Sequence, residues 1–153
     1  MSAEQDKSVV RRFVEELWNG RRLDAAEEIF HADCVTHQLR SGSEVAGLPR
    51  GPEMLKRHVE EWLEGFPDLK FTAEQMVAEG GLVTTRLVAE GTHAGAWLGI
   101  APTGKRVSIR MVTIHRVEGG KITEDWVIVE SLGFFQQLGL LPSDEEIMSR
   151  AAR

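Results

Sequence analysis

Three residues able to move protons, His93, His115 and Asp125, fall in one stretch of chain that otherwise reads as β-structure. His93 belongs to Gly91-Thr-His-Ala-Gly95, His115 precedes the turn around Gly119-Gly120, and Asp125 is the centre of Glu124-Asp-Trp126. Imidazole and carboxylate groups facing a common cavity can abstract a proton next to a carbonyl and stabilise the resulting enolate. A proton-transfer pocket is the chemistry to test.

What aligns these groups is a hairpin. Val117-Glu-Gly-Gly-Lys121 fits a three-residue loop with Gly120 at the left-handed bulge position. That register pairs His115 with Thr123, Thr113 with Asp125 and Met111 with Val127. Met111, Thr113, His115, Thr123, Asp125, Val127 and Val129 then share one face. The opposite face carries Arg110, Val112, Ile114, Arg116, Glu124, Trp126 and Ile128, a mixture suited to solvent or to a subunit contact. A two-residue turn would instead pair His115 with Glu124. The inner set combines one imidazole and one carboxylate with Met, Val and Thr, as expected of an apolar pocket with few polar groups.

Other side chains are candidates for the pocket wall. His37 lies in a short early strand and can point inward. Trp62 shares a helix face with His58, itself a core or wall residue. Trp97, in the loop before Pro102, suits a lid or stacking surface as well as an anchor for that loop. His93 suits a pocket mouth or a loop histidine that caps backbone groups. No pair of histidines has the close spacing with a carboxylate that zinc or iron sites use, so no metal is expected. Nucleophile elbows, phosphate loops and dinucleotide fingerprints are absent from the sequence.

The elements that must hold these groups follow from periodicity. Val9, Val10, Phe13, Val14, Leu17 and Trp18 recur with helical spacing, and Asn19-Gly20 tolerates a left-handed helix end. Residues 23–30 form a second short helix, 34–39 a short strand, and 41–51 a loop rich in Gly, Ser and Pro. Pro52 opens a third helix with Met54, Leu55, His58, Val59, Trp62 and Leu63 on one face, ending near Gly65. Stretches 69–78, 82–92, 107–117 and 122–130 are rich in Val, Ile and Thr and form an antiparallel sheet. Residues 132–140 close the chain with a helix, followed by a polar tail. Helices on one face of a curved sheet make an α+β cone.

The 153 residues fit one domain, 1–153, with a core large enough to need no disulfide. A net charge of −6 with scattered basic residues argues against nucleic acid as a partner. The polar first residues, the lack of a membrane-length apolar run and the single Cys34 give the expectation of a soluble, cytoplasmic protein without membrane contact.

From Lys7 to Leu140 the chain resembles the SnoaL-like polyketide cyclase family of the NTF2-like fold group. The resemblance rests on Trp18-Asn-Gly20, Phe30-His-Ala-Asp33, Gly91-Thr-His-Ala-Gly95, Gly99-Ile-Ala-Pro-Thr-Gly104, Gly120-Lys-Ile122, Glu124-Asp-Trp126 and Gln136-Gln-Leu-Gly139. It implies an NTF2-like cone, a homodimer, and acid/base chemistry on a small-molecule substrate without metal or organic cofactor. It also implies an intramolecular aldol closure of a polyketide ester. Counted without gaps from Gly120-Lys-Ile122, the family's acid/base aspartate falls on Val127, and its polar strand partners on Met111 and Thr113. The nearest inward carboxylate is Asp125, one step away. The resulting expectation is a cyclase or isomerase with Asp125 as base, His115 and His93 at the enolate, and His37, Trp62, Trp97, Met111, Thr113 and Val127 around the substrate. A non-catalytic binding module, or a hydroxylase or epoxide-opening enzyme on the same cone, is the alternative.

Overall fold

The computed structural model describes residues 1–43 and 46–153; Glu44 and Val45, within the expected loop 41–51, lie outside the described residues. Helix α1 (Ala3–Arg12) starts at a capping box, with Ser2 accepting from the Gln5 backbone while the Gln5 side chain accepts from that of Ser2. The helix widens into a π-helical stretch, Phe13–Asn19, that buries Phe13, Val14, Leu17 and Trp18. The expected left-handed end at Gly20 is not observed. Gly20 has φ −78°, and Arg21 takes the positive value, 58°. Glycine is required at position 20 for space, since a Cβ there would lie 2.7 Å from the Glu16 carbonyl oxygen. Arg21 is fixed by hydrogen bonds to the carbonyls of Trp18, Pro67 and Leu69.

Helix α2 (Ala25–Ile29) leads directly into β1 (Phe30–Gln38), longer than the expected strand because it includes an irregular first half. A two-residue strand β2 (Leu48–Pro49) pairs with β1, and α3 (Pro52–Gly65) follows with proline in its first turn. The long strands are β3 (Lys70–Glu79), β4 (Leu82–Thr92), β5 (Arg106–Glu118) and β6 (Lys121–Val129). They run antiparallel as expected, and α4 (Ser131–Gln137) and an exposed α5 (Asp144–Ala151) end the chain.

The sheet order is β2-β1-β6-β5-β4-β3, and β1 lies parallel to β6. The sheet is therefore mixed. The parallel neighbour escapes a reading of strand propensity because its partner is separated by the whole of α3 and the β3–β5 meander. One apolar core fills the space between the helices and the concave sheet face, from Val10, Leu17 and Ile29 to Leu55, Leu87 and Ile109. None of the described helices is long and apolar enough to cross a membrane.

The hairpin joining β5 and β6 differs from the expected register in an instructive way. Its turn has two residues, Gly119 and Gly120, with φ 57° and 80°, so Glu118 faces Lys121 and Val117 faces Ile122. Continued without interruption, that turn would send Glu124 inward and Asp125 outward. A bulge at Thr123 adds one residue on β6, pairing Arg116 with Glu124 and His115 with Asp125. Asp125 thus shares the inner face with His115 although their register is two residues from the expected one. Ile122, fully buried, occupies the inward position that the sequence pattern assigned to Thr123.

Candidate active site

The cone encloses a cavity of about 90 Å³ between the sheet, the π-helical stretch and α3. Its wall is apolar and aromatic along Phe13, Trp18, Trp62 and Phe71, with Leu55, Leu87, Met111, Val127 and Val129 between them. Phe13 and Trp18 are five positions apart and both reach the cavity from the π-helical stretch, whose wider turn aligns residues five apart. The amide of Asn19 ties this stretch to the edge strand, donating to the Phe71 carbonyl at 2.9 Å and accepting from the Phe71 N–H at 2.8 Å.

Polar groups gather where β1 meets β6. Thr36 and Asp125 are register partners across the parallel pair, and the Thr36 hydroxyl donates to Asp125 Oδ1 at 2.5 Å. Gln38 Nε2 donates to Thr36 Oγ1 at 3.0 Å, so the single hydroxyl proton of Thr36 is directed at the carboxylate. Arg50 Nη2 donates to Asp125 Oδ2 at 3.0 Å, an ion pair whose side chains are only 11% and 1% exposed. Each carboxylate oxygen retains a further lone pair for a substrate proton.

His115 stands beside Asp125 on β5, with its ring edge-on to Phe13 at 5.1 Å. It makes no hydrogen bond among the described residues, and its Nδ1 is buried without a partner. Burial pushes its pKa from 6.5 down to about 4, outweighing the opposing pull of Asp125. His58, on the α3 wall of the cavity, is held near 4 for the same reason. Both imidazoles are neutral at pH 7, so His115 can donate or accept a hydrogen bond but brings no charge. The Thr113 hydroxyl, also on the wall, is likewise buried and unpaired.

Of the residues expected at the site, Asp125, His115, Trp62, Met111, Thr113 and Val127 line the cavity, and His93, His37 and Trp97 do not. His93 is fully buried behind the cavity, stacked on Phe66 at 5.1 Å, with Nδ1 accepting from the Thr103 backbone N–H at 3.2 Å. Its loop is pinned to the end of α3, because the N–H groups of Ala94 and Gly95 both donate to the Gly65 carbonyl. Trp97 in that loop is 6% exposed, packed against Trp62, Phe66 and Phe134; it anchors the loop and is no lid. His37 points to the outer sheet face, where it stacks on Trp126 at 5.1 Å and bonds Glu124 at 2.8 Å. The alternation that turns Thr36 inward turns His37 outward.

Arg50, Thr36 and Gln38 are site residues that the sequence pattern missed. Arg50 ends a loop without periodicity, and Thr36 becomes visible only once β1 is known to pair with β6. The remaining signal was Asp125 itself, since a carboxylate aimed into an apolar core requires a buried partner.

A helix-backed curved sheet enclosing an aromatic cavity, with a buried and paired carboxylate on its wall, is the architecture of an NTF2-like cone. The family model for SnoaL-like polyketide cyclases matches residues 8–138. An aklanonic acid methyl ester cyclase, DauD, of Streptomyces sp. (strain C5) is 33% identical over 135 residues, covering 86% of this chain and 80% of that protein. The solved structure of IdmH, a candidate polyketide cyclase from Streptomyces antibioticus, superposes with a TM-score of 0.75 at 30% identity, covering 88% of this chain and 99% of its own. AclR, a candidate hydroxylase from Streptomyces galilaeus, gives 0.80 at 27% identity, covering 98% and 95%. The chain belongs to the SnoaL-like polyketide cyclase family. It is an enzyme of that cyclase type, acting on a small molecule.

Proposed function

We propose that this enzyme closes a ring in a small polyketide ester by an intramolecular aldol reaction, with Asp125 as the acid/base group and no metal or organic cofactor. The observation that carries this reading is the fully buried Asp125 carboxylate on the cavity wall, held in position by Thr36 and Arg50. Asp125 removes the proton from the carbon between the ketone and ester carbonyls, and the electron pair moves onto the enolate oxygen. The α-carbon attacks a ketone carbon of the same substrate, and the proton returns from Asp125 to the new alkoxide. Atoms balance as an isomerisation. His115 and Thr113, both with unpaired polar atoms, are the hydrogen-bonding groups for substrate oxygens. The aromatic wall suits a flat, unsaturated substrate, and the relatives that are aklanonic and nogalonic acid methyl ester cyclases support an ester as substrate.

Exchange of α-hydrogen for deuterium in a panel of β-keto esters tests the base. Wild type accelerates exchange and Asp125→Asn loses it; equal rates would remove Asp125 from the mechanism. Hydroxylation is the second reading, favoured by the likeness to AclR. Incorporation of an oxygen atom into the product, followed by mass spectrometry, separates it from cyclisation, which adds none.

The same reading takes residues 1–153 as one domain working in the cytoplasm as a homodimer. Lone Cys34 supports a reducing compartment. Val112 and Ile128, 38% and 49% exposed beside Arg110, Arg116 and Trp126, support an interface on the outer sheet face. Sedimentation of wild type and Arg116→Glu tests this: a dimer weakened by the substitution is expected, and a monomeric wild type would overturn it.

A further inference from the structure

Among the described residues lining the cavity, Arg50 and Asp125 are the only Lys, Arg, Asp or Glu, and they are paired with each other. The other ionisable groups on the described wall, His58 and His115, are neutral imidazoles, so among the described residues the cavity holds one cation and one anion, each the other's partner. Proton abstraction changes that balance. Asp125 becomes a neutral acid and a negative charge appears on substrate oxygen, while the guanidinium keeps its charge.

We propose that Arg50 is a catalytic residue whose positive charge passes from pairing with Asp125 to pairing with the enolate oxygen as the proton moves. The inference rests on the reading of Asp125 as base. Its structural basis is the position of Arg50 on the cavity wall together with its unused donors. Among the described residues its guanidinium makes one hydrogen bond, to Asp125, and its Nε is buried with no partner. Thr36 stays bonded to Asp125 in either protonation state, so the carboxyl group holds its place while Arg50 is released toward the substrate. A guanidinium is suited to this because its fork of five N–H donors can bond two oxygens at once. Attraction between the enolate and a fixed charge in a water-poor cavity exceeds that available in water, which makes this interaction a contribution to the rate rather than to substrate binding alone.

The test uses para-nitrophenol, a flat ligand whose anion absorbs visible light and mimics an enolate. In Asp125→Asn the side chain is neutral, as after proton abstraction, and Arg50 is free to pair with the phenolate. This variant is expected to bind nitrophenolate at least about tenfold more tightly than wild type, and Asp125→Asn combined with Arg50→Met to lose that gain. Arg50→Lys in the same background keeps the charge and retains part of the gain, which separates loss of charge from loss of fold. Nitrophenolate bound no better by Asp125→Asn than by wild type, or equally by the Asp125→Asn and Arg50→Met combination, overturns the role of Arg50. Wild-type exchange rates in Asp125→Asn would instead overturn the base, a result read in a different assay. With cyclase substrate, Arg50→Met is expected to lower kcat by about 10²-fold with a smaller change in KM; a change confined to KM overturns the inference.

Discussion

Two buried histidines mark two regions of the molecule, one beside open space and one packed solid. His115 and His93 are 1% and 0% exposed, each close to an aromatic ring, and each has one ring nitrogen buried without a partner. In front of His115 lies a cavity with a carboxylate alongside. His93 is stacked on Phe66 and bonded to Thr103, in a loop fastened to α3 by the Gly65 carbonyl and by Trp97. Residue type and burial are the same in both. The difference is unfilled space, which depends on how remote elements fail to meet and is not encoded at the residue itself.

Single substitutions can take chemistry from one region and packing from the other. Asp125→Asn should lower the cyclisation rate by about 10²–10⁴-fold, the range for loss of a general acid or base; steady-state kinetics on a protein with an unchanged circular dichroism spectrum checks it. Trp97→Ala should cost about 3–5 kcal/mol of stability, as expected for truncating a buried aromatic, measured by denaturant unfolding, while kcat of the folded enzyme stays near wild type. A fall in kcat comparable with that of Asp125→Asn would restore Trp97 to the site.

Acid should act on the cavity through its neutral imidazoles. His115 and His58 have folded pKa values near 4 against 6.5 when unfolded, so the unfolded chain binds more protons between these values. The stability associated with keeping them neutral is present above pH 6.5, falls as pH drops toward 4, and changes no further below it. Each contributes a slope of at most about 1.4 kcal/mol per pH unit. Unfolding midpoints across this window should flatten in His58→Gln. The smallest effect is expected at His93→Leu, which removes one hydrogen bond to the exposed Thr103 at a cost of about 0.5–1.5 kcal/mol and leaves kcat unchanged. Loss of turnover without loss of stability would place His93 in the chemistry after all.

The elements were legible where a period was long and a terminator clear. The face of α3 after Pro52 and the four long strands followed from alternation and turn residues, and the order of helices before strands pointed to the cone that the family resemblance also implied. Inward alternation also found Asp125, His115, Met111, Thr113 and Val127. It succeeded despite the wrong turn length because the observed bulge at Thr123 restores the side-chain parity that a three-residue loop would have had. The partners of Asp125 were not legible. Thr36 and Arg50 are 89 and 75 positions away in the chain, in a parallel strand pair and a loop, and neither arrangement leaves a local pattern.

The parallel pairing of β1 with β6 has a kinetic consequence. Bringing Thr36 to Asp125 closes a loop that contains α3 and the four strands β2 to β5, a long-range event of the kind that slows folding. A β3–β6 meander can form before that event, yet it has neither the hydroxyl nor the guanidinium that complete the carboxylate's surroundings. Appearance of activity during refolding should therefore lag the appearance of sheet structure, and on mild heating the enzyme should fall silent through detachment of β1 while most of the sheet remains intact.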